Sequence, residues 1–324
     1  MKKVLITGAA GFIGSHLSEK CVEMGLETTA FVRYNSSNRW GWLEGSKYLK
    51  DIKIITGDIR DFDSVKKALK GCDTVFHLAA LIGIPYSYVS PLAYIKTNIE
   101  GTYNVLEACR ETGCGNIIVT STSETYGTAQ YVPIDEKHPL VGQSPYSASK
   151  IAADQLAISY HRSFGLPVKI ARPFNTYGPR QSARAIIPTI ITQILNGEKR
   201  IKLGNLSPTR DLTFVKDAVE GFIAIAKTPG LAGQAVNIGM NDEVTVRNLA
   251  KLIVGITGKK IEIVEEKERT RPDASEVERL RCDNSLLVSQ TGWKPEYDLK
   301  TGLAETIAWL SGNLHLYKTD IYNV

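Results

Sequence analysis

Three glycines at one spacing, Gly8, Gly11 and Gly14, stand between a short apolar run, Lys3–Thr7, and a helical pattern that begins at Phe12. No other feature narrows the possible folds as far. A strand that passes straight into a helix leaves unpaired backbone N–H groups at the helix N-terminus, where a phosphate finds donors and a favourable dipole. Gly8 permits the tight turn, Gly11 lets the backbone approach a pyrophosphate, and Gly14 allows helix and sheet to touch. The segment predicts a dinucleotide-binding βα turn that opens a parallel sheet.

The rest of the first half agrees with such a sheet. Lys3–Thr7, Glu27–Val32, Ile52–Thr56, Thr74–Leu78, Asn116–Thr120 and Pro167–Ala171 read as strands, and segments beginning at Phe12, Phe62, Pro91 and Tyr146 carry helical spacing. Alternating strands and helices predict a sheet covered on both faces, an α/β Rossmann-type doubly wound architecture. After Arg172-Pro173 the rhythm loosens into loops, with helices expected at Ile186–Leu195, Val215–Ala226, Val246–Ile256 and Leu299–Leu310. The expected division is an NAD(P)-binding domain over 1–170, joined by a later strand and helix, and a smaller C-terminal α/β substrate-binding domain, mainly 171–324.

Composition removes other classes. A chain of 324 residues, 43% apolar and 23% charged, has enough core to fold unaided. Its net charge of +5 is spread along the chain and suits an anionic small ligand as well as a nucleic acid, but no basic tract favours the latter, and no nucleic-acid partner is expected. The five cysteines lack CxxC spacing, and His16, His77, His138, His161 and His315 lack metal-ligand spacing, so no disulfide framework and no metal site are expected. This cysteine usage fits a reducing cytoplasm. Met1-Lys2-Lys3 is superficially like a signal peptide, but the glycines break its apolar run, and no run of 18 apolar residues predicts a membrane span. The run Glu265–Arg269 reads as a solvated face.

An NAD-preferring site places an acid about 20 residues beyond the glycines to hold the ribose diol. Here Phe31-Val32-Arg33-Tyr34-Asn35 offers no acid before Glu44, and Arg33 suits a 2′-phosphate, so NADP is expected, with NAD the alternative. Asp58, past the third strand, is a candidate for the adenine edge or a turn cap. Tyr146 and Lys150, four apart, share one helix face, and the ammonium is expected to ease ionisation of a phenol that acts as base toward an alcohol. Upstream, Asn116–Thr120 leads into Ser121-Thr122-Ser123-Glu124, which places hydroxyls and an acid at the carboxyl edge of the sheet, where ligands bind. An acid beside such a cleft is expensive unless paired or used, so Glu124 is expected to do chemistry.

Gly8-x-x-Gly11-x-x-Gly14, His77-Leu78-Ala79-Ala80, Ser121-Thr122-Ser123-Glu124, Tyr146-x-x-x-Lys150 and Arg172-Pro173-Phe174-Asn175-Thr176-Tyr177-Gly178-Pro179-Arg180 together resemble the extended short-chain dehydrogenase/reductases acting on nucleotide sugars, over essentially the whole chain. Glu124 resembles the 4,6-dehydratase branch, whose Thr-x-Glu replaces a smaller residue of the 4-epimerases. Residues Thr125 to Lys150 and Asn35 to Leu43 further resemble the N-acetylglucosamine nucleotide 4,6-dehydratases of legionaminic acid-type pathways. Ser123 departs from dehydratases with Asp there and matches the GDP-mannose type, leaving open which group protonates the departing hydroxyl.

The resemblance implies oxidation at C4 with Tyr146 as base, Thr122 bonding the same hydroxyl and Lys150 holding the nicotinamide ribose. Glu124 then removes the C5 proton, water leaves C6 with Glu124 or a Ser123 relay supplying its proton, and hydride returns to C6. The cofactor ends as it began and stays tightly bound. Phe12, Ile13, Ile59, Leu78, Ala79, Ala80, Asn98 and Pro173 complete the expected cofactor set. Asn175, Arg180, Arg210 and Arg271 are expected on the nucleotide-sugar side, with Ser87 and Tyr86 at the sugar. The Tyr146 helix has two apolar stripes, Ala148, Ile151, Ala152, Leu156 and Ala153, Ala157, Tyr160, Phe164, more than one sheet buries. Similar proteins dimerise through a four-helix bundle of this helix and that near Ile95–Ala108, so a homodimer is expected. The nucleotide, UDP or GDP, stays open; a 4-epimerase, a UDP-glucuronate decarboxylase and a non-catalytic nucleotide-binding scaffold are the alternatives.

Overall fold

The computed structural model describes residues 1–266 and 277–318. Its first half alternates strand and helix: β1 (Lys3–Thr7), α1 (Phe12–Glu23), β2 (Glu27–Arg33), β3 (Ile52–Gly57), α2 (Phe62–Leu69), β4 (Thr74–His77), α3 (Ile84–Val89), α4 (Pro91–Tyr94), α5 (Gly101–Thr112), β5 (Ile117–Thr120), α6 (Pro145–Phe164) and β6 (Val168–Pro173). The second half supplies β7 (Asn175–Tyr177), α7 (Ile186–Leu195), β8 (Arg200–Leu203), β9 (Thr209–Arg210), β10 (Leu212–Phe214), α8 (Val215–Lys227), β11 (Ala235–Ile238), β12 (Val244–Thr245), α9 (Val246–Thr257), β13 (Glu262–Glu265), α10 (Ser285–Thr291) and α11 (Leu299–Asn313).

Seven strands form one parallel sheet in the order β11-β6-β5-β4-β1-β2-β3. Successive strand residues point to opposite faces, so β1 sends Val4 and Ile6 into one core with Leu17 of α1 and Phe222 of α8, and Leu5 into another with Val65 of α2, Val105 of α5 and Ala157 of α6. Both faces are dry, which is why these strands read as nearly continuous apolar runs. The doubly wound fold expected from the sequence is the one observed. From β1 the chain winds outward through β2 and β3, then crosses back to β4 on the other side. That reversal opens a crevice beyond the carboxyl ends of β1 and β4.

A separate apolar core joins α7, α9 and α11 to Tyr177, Ile201, Leu203 and Phe214. Small pairings β7 with β10, β9 with β12 and β8 with β13 sit around it, while α8 and β11 return to the large sheet. Strands this short carry no periodicity of their own, and none was expected from the sequence. The helix expected from Pro91 is three pieces, because residues Ile95–Glu100 form a π-helical turn between α4 and α5. In that wider turn Asn98 reaches the backbone of Leu81, whose N–H donates to Oδ1 at 2.8 Å and whose carbonyl accepts from Nδ2 at 2.9 Å. Among the described residues no helix is long and apolar enough to cross a membrane. Of the charged run 265–269, Glu265, ending β13, and Glu266, paired with Lys202 Nζ at 3.0 Å, lie within the described residues.

Candidate active site

At one end of the crevice the β1–α1 turn has the form its glycines require. Gly8 has φ +71°, and a Cβ there would lie 2.8 Å from Ala79 N and 2.9 Å from the Leu78 carbonyl carbon. A Cβ on Gly14 would lie 2.2 Å from Gly8 O, so only glycine lets α1 start this close to its own strand. Helix α1 has no side-chain cap and no acidic residue in its first turn, which leaves its N–H groups to an anion. Phe12 and Ile13 begin the helix and pack toward the C-terminal core. The segment after β2 lies over this turn: Trp42 N donates to Ala10 O at 3.1 Å, and its indole packs edge-on against Trp309 of α11 at 5.5 Å. The turn fits a dinucleotide pyrophosphate.

Leu78, Ala79 and Ala80 follow β4 half-buried beside Gly8, and Ala79 N donates to Thr7 Oγ1 at 3.2 Å. Asp58, past β3, accepts from Arg60 through Nε at 2.9 Å and NH2 at 2.6 Å, and this pairing, aided by Arg33, holds its carboxyl below the ordinary range. Ile59 is buried in the sheet core, its carbonyl accepting from Asn104 Nδ2 at 3.0 Å. Pro173 ends β6 in register with Ile238. Asn98, expected at the cofactor, instead clamps the Leu81 backbone and donates to Ser149 Oγ at 2.9 Å, which joins the loop after β4 to α6. His77 lies wholly inside, bonded to Thr7 Oγ1 at 2.7 Å and Thr102 Oγ1 at 3.1 Å, and burial lowers its pKa to about 3.

At the other end stand the reacting groups. A Ser144–Ser147 capping box and Pro145 start α6 directly before Tyr146. Tyr146 is 7% exposed, hydrogen-bonded to Thr122, with the Tyr94 ring edge-on at 6.2 Å. Thr122 caps the 3₁₀ turn Ser123–Tyr126, its Oγ1 accepting from Glu124 N at 3.3 Å. Thr122 and Glu124 are half-buried, whereas Ser123 between them is buried. Lys150 Nζ donates to Thr120 O at 2.5 Å. Burial works against the expected easing of the Tyr146 phenol by Lys150. Burial raises the Tyr146 pKa and outweighs the Thr122 hydrogen bond, while burial lowers that of Lys150 against the pull of Asp154.

Of the substrate-side expectations, Asn175 heads β7 with its Nδ2 buried and without a hydrogen-bond partner. Arg210 lies half-buried on β9. Two expectations are corrected. Ser87 is fully buried and its hydroxyl donates to Ile84 O at 2.6 Å, because a serine inside a short helix satisfies itself on the preceding turn. Arg180 is bound to α1 through Ser15 Oγ at 3.1 Å and Glu19 Oε1 at 2.9 Å, an ion pair that already occupies its guanidinium. Arg271 lies outside the described residues. Tyr86 is half-exposed, its ring 6.2 Å from that of Tyr94. Tyr94, missed in the sequence, has no motif to mark it; it donates to Gly83 O at 2.5 Å and walls Tyr146. Among the described residues no group of three His, Cys, Asp or Glu side chains can hold a metal.

Residues 5–306 match the family described as GDP-mannose 4,6 dehydratase. The chain is 33% identical over 318 residues to a dTDP-glucose 4,6-dehydratase of Streptomyces antibioticus, covering 96% of this chain and 92% of that one. Among solved structures it resembles the dTDP-glucose 4,6-dehydratase DesIV from Streptomyces venezuelae with NAD bound, at 28% identity and TM-score 0.86, covering 98% and 99% of the two chains. It resembles equally a UDP-N-acetylglucosamine 4-epimerase from Methanobrevibacter ruminantium, at 30% identity and TM-score 0.86, covering 96% and 99%.

Proposed function

The chain belongs to the extended short-chain dehydrogenase/reductase family of nucleotide-sugar 4,6-dehydratases and epimerases, and on that premise we propose that it is a 4,6-dehydratase of an N-acetylglucosamine nucleotide, UDP- or GDP-linked. The observation that carries the choice is Glu124, half-buried on a turn whose cap, Thr122, bonds Tyr146, and close enough for its charge to act on that phenol. An epimerase has no proton to move at C5 and no use for a carboxylate there. The 4-epimerase is the second reading, favoured by the equal likeness to the epimerase structure.

A nicotinamide dinucleotide bound on the β1–α1 turn supplies the hydride acceptor for C4 and the hydride donor for C6. Tyr146 accepts the C4 hydroxyl proton, with Thr122 holding that oxygen in line and Lys150 stabilising the phenolate. Glu124 takes the C5 proton made acidic by the C4 ketone and returns a proton to the departing C6 hydroxyl, directly or through Ser123. Asn175 and Arg210 grip the diphosphate, and Arg271 the nucleotide. The cofactor is NAD in this reading: the expectation of NADP from Arg33 finds no support in the relatives, and Arg33 lies beside the Asp58 carboxylate.

The expected homodimer draws support from α6, where Ala148 is exposed and Ile151 and Ala152 are only half-buried, next to Leu92 and Ile95 at 60% and 50% exposure. The free cysteines fit the cytoplasm.

Incubating the protein with UDP-N-acetylglucosamine and, in parallel, GDP-N-acetylglucosamine without added cofactor, then analysing products by mass spectrometry and NMR, tests the proposal. Loss of one water to a 4-keto-6-deoxy sugar is expected. An epimer without water loss overturns it. Glu124→Gln is expected to retain C4 oxidation and abolish water loss.

A further inference from the structure

Behind the reacting groups lies a buried ion pair that this chemistry leaves unused. Arg172 of β6 donates from NH2 to Asp154 Oδ2 of α6 at 2.7 Å, and the two side chains are 3% and 2% exposed. Ser121, which precedes Thr122, donates to the same oxygen at 2.6 Å. Through NH1, Arg172 donates to the Tyr126 hydroxyl at 2.7 Å, with its guanidinium 4.8 Å from the centre of that ring. Tyr126 closes the turn that carries Glu124 and itself donates to Asn237 of β11 at 2.8 Å. One pair therefore ties the Glu124 turn, the end of β5 and the Tyr146 helix to β6 and β11 at one side of the sheet.

The second oxygen of Asp154, Oδ1, is buried with no hydrogen-bond partner. A buried pair of this kind is commonly no more stable than an apolar pair of the same size, and an unsatisfied carboxylate oxygen worsens it. Its charge is the part that an apolar replacement lacks. Tyr146, Lys150 and Asp154 recur at four-residue intervals along α6 and share one stripe. Among the described residues, the titratable and charged groups around Lys150 are Tyr146 and Asp154 on its own helix, buried His77 on β4, and Arg172 on β6 behind Asp154, while Glu124 on the turn acts on Tyr146. Asp154 is the group that favours the ammonium against burial.

We propose that Asp154 and Arg172 are positioning residues with separable tasks: Asp154 holds Lys150 as an ammonium beside Tyr146, and Arg172 braces the Glu124 turn against the same helix. The assignment rests on the reading of Tyr146 with Lys150 as the oxidising groups and Glu124 as the eliminating one. It makes the oxidation half-reaction depend on the charge of Asp154 and the elimination half-reaction on the reach of Arg172.

Asp154→Asn removes the charge and keeps the size. Arg172→Lys keeps a cation for Asp154 but cannot bond Asp154 and Tyr126 together. Both variants, with their bound cofactor, are followed across pH with UDP- and GDP-N-acetylglucosamine. C4 oxidation is read as the transient near-ultraviolet absorbance of reduced nicotinamide, and C5 proton removal as deuterium gained from heavy water. In Asp154→Asn, Lys150 loses its proton more readily, so the alkaline limb of oxidation moves to lower pH by about one unit or more, with C5 exchange per oxidised sugar unchanged. In Arg172→Lys that limb stays in place, while exchange and water loss fall roughly tenfold to a hundredfold. Equal losses in both half-reactions with unmoved pH profiles, or no loss in either variant, overturn the proposal. If Asp154→Asn does not fold by circular dichroism, Asp154→Asn with Arg172→Gln, which leaves no unpaired charge, must show the same alkaline shift. A wild-type enzyme that oxidises C4 without exchanging C5 refutes the dehydratase reading, and the alkaline shift still decides the role of Asp154.

Discussion

The two ends of the seven-strand sheet each bury a lysine. At the amino end Lys169 of β6 donates to Asn116 Oδ1 and to Ala226 O, both at 2.9 Å, and burial lowers its pKa to about 8. At the carboxyl end Lys150 donates to a strand carbonyl and is lowered by burial in the same way. The surroundings separate them. Lys169 looks onto a groove of Met1, Met24, Leu26 and Pro167, whereas Lys150 shares its helix face with a phenol and a carboxylate. A shifted lysine is therefore a product of burial alone, and a site needs the proton donors and acceptors that only the carboxyl end assembles. The winding order explains why: the crevice between β1 and β4 opens at that end.

The largest expected effect lies at the carboxyl end. Tyr146→Phe removes the base and should lower single-turnover C4 oxidation by about 10²–10⁴-fold; near-normal oxidation would erase the difference between the two ends. Thr122→Val deletes the hydrogen bond to that phenol and should cost roughly tenfold to a hundredfold in the same assay, with less effect on KM than on kcat. Gly14→Ala puts a Cβ against Gly8 O, so α1 must shift; we expect about 1–3 kcal/mol lower stability by urea titration and loss of co-purifying dinucleotide.

Lys169→Met should be the mildest in activity, with turnover within about twofold of wild type. Its signature is in stability. Lys169 binds its proton less tightly folded, at about 8, than at the ordinary 10.5, so between those values the unfolded chain carries more protons and this lysine adds stability as pH rises. Any advantage of Lys169→Met over wild type should therefore be greatest near pH 7 and shrink toward pH 10 by about 1–3 kcal/mol, measured as urea midpoints. A gap that does not change with pH would show that the amino-end lysine is not perturbed.

Much of the scaffold was legible because its determinants are local. The β1–α1 turn needs backbone conformations and close approaches that glycine alone allows, and these leave a fixed spacing in the chain. Six of the seven sheet strands are rich in apolar residues, and α7, α8, α9 and α11 carry a 3.6-residue stripe, so both kinds of element announce themselves. The pairing of Tyr146 with Lys150 follows from one helical turn and was equally visible.

What the sequence did not disclose are matters of long-range placement. Ser87 reads as a sugar-side residue until α3 turns its hydroxyl onto Ile84 O, and Arg180 reads as a diphosphate ligand until α1 presents Glu19 to it. Tyr94 has no motif, and Asn98 gains its role only because a π-helical turn carries it to Leu81. Asp154 and Arg172, 18 positions apart, become one strut only when α6 packs beside β6. The sequence by itself determined the sheet, the glycine turn and which side chains to expect as reacting groups, because each rests on neighbours within a few residues. The tertiary structure decided which polar groups are free, which are paired and how strongly each holds its proton, because those depend on burial and on charges brought together from distant parts of the chain.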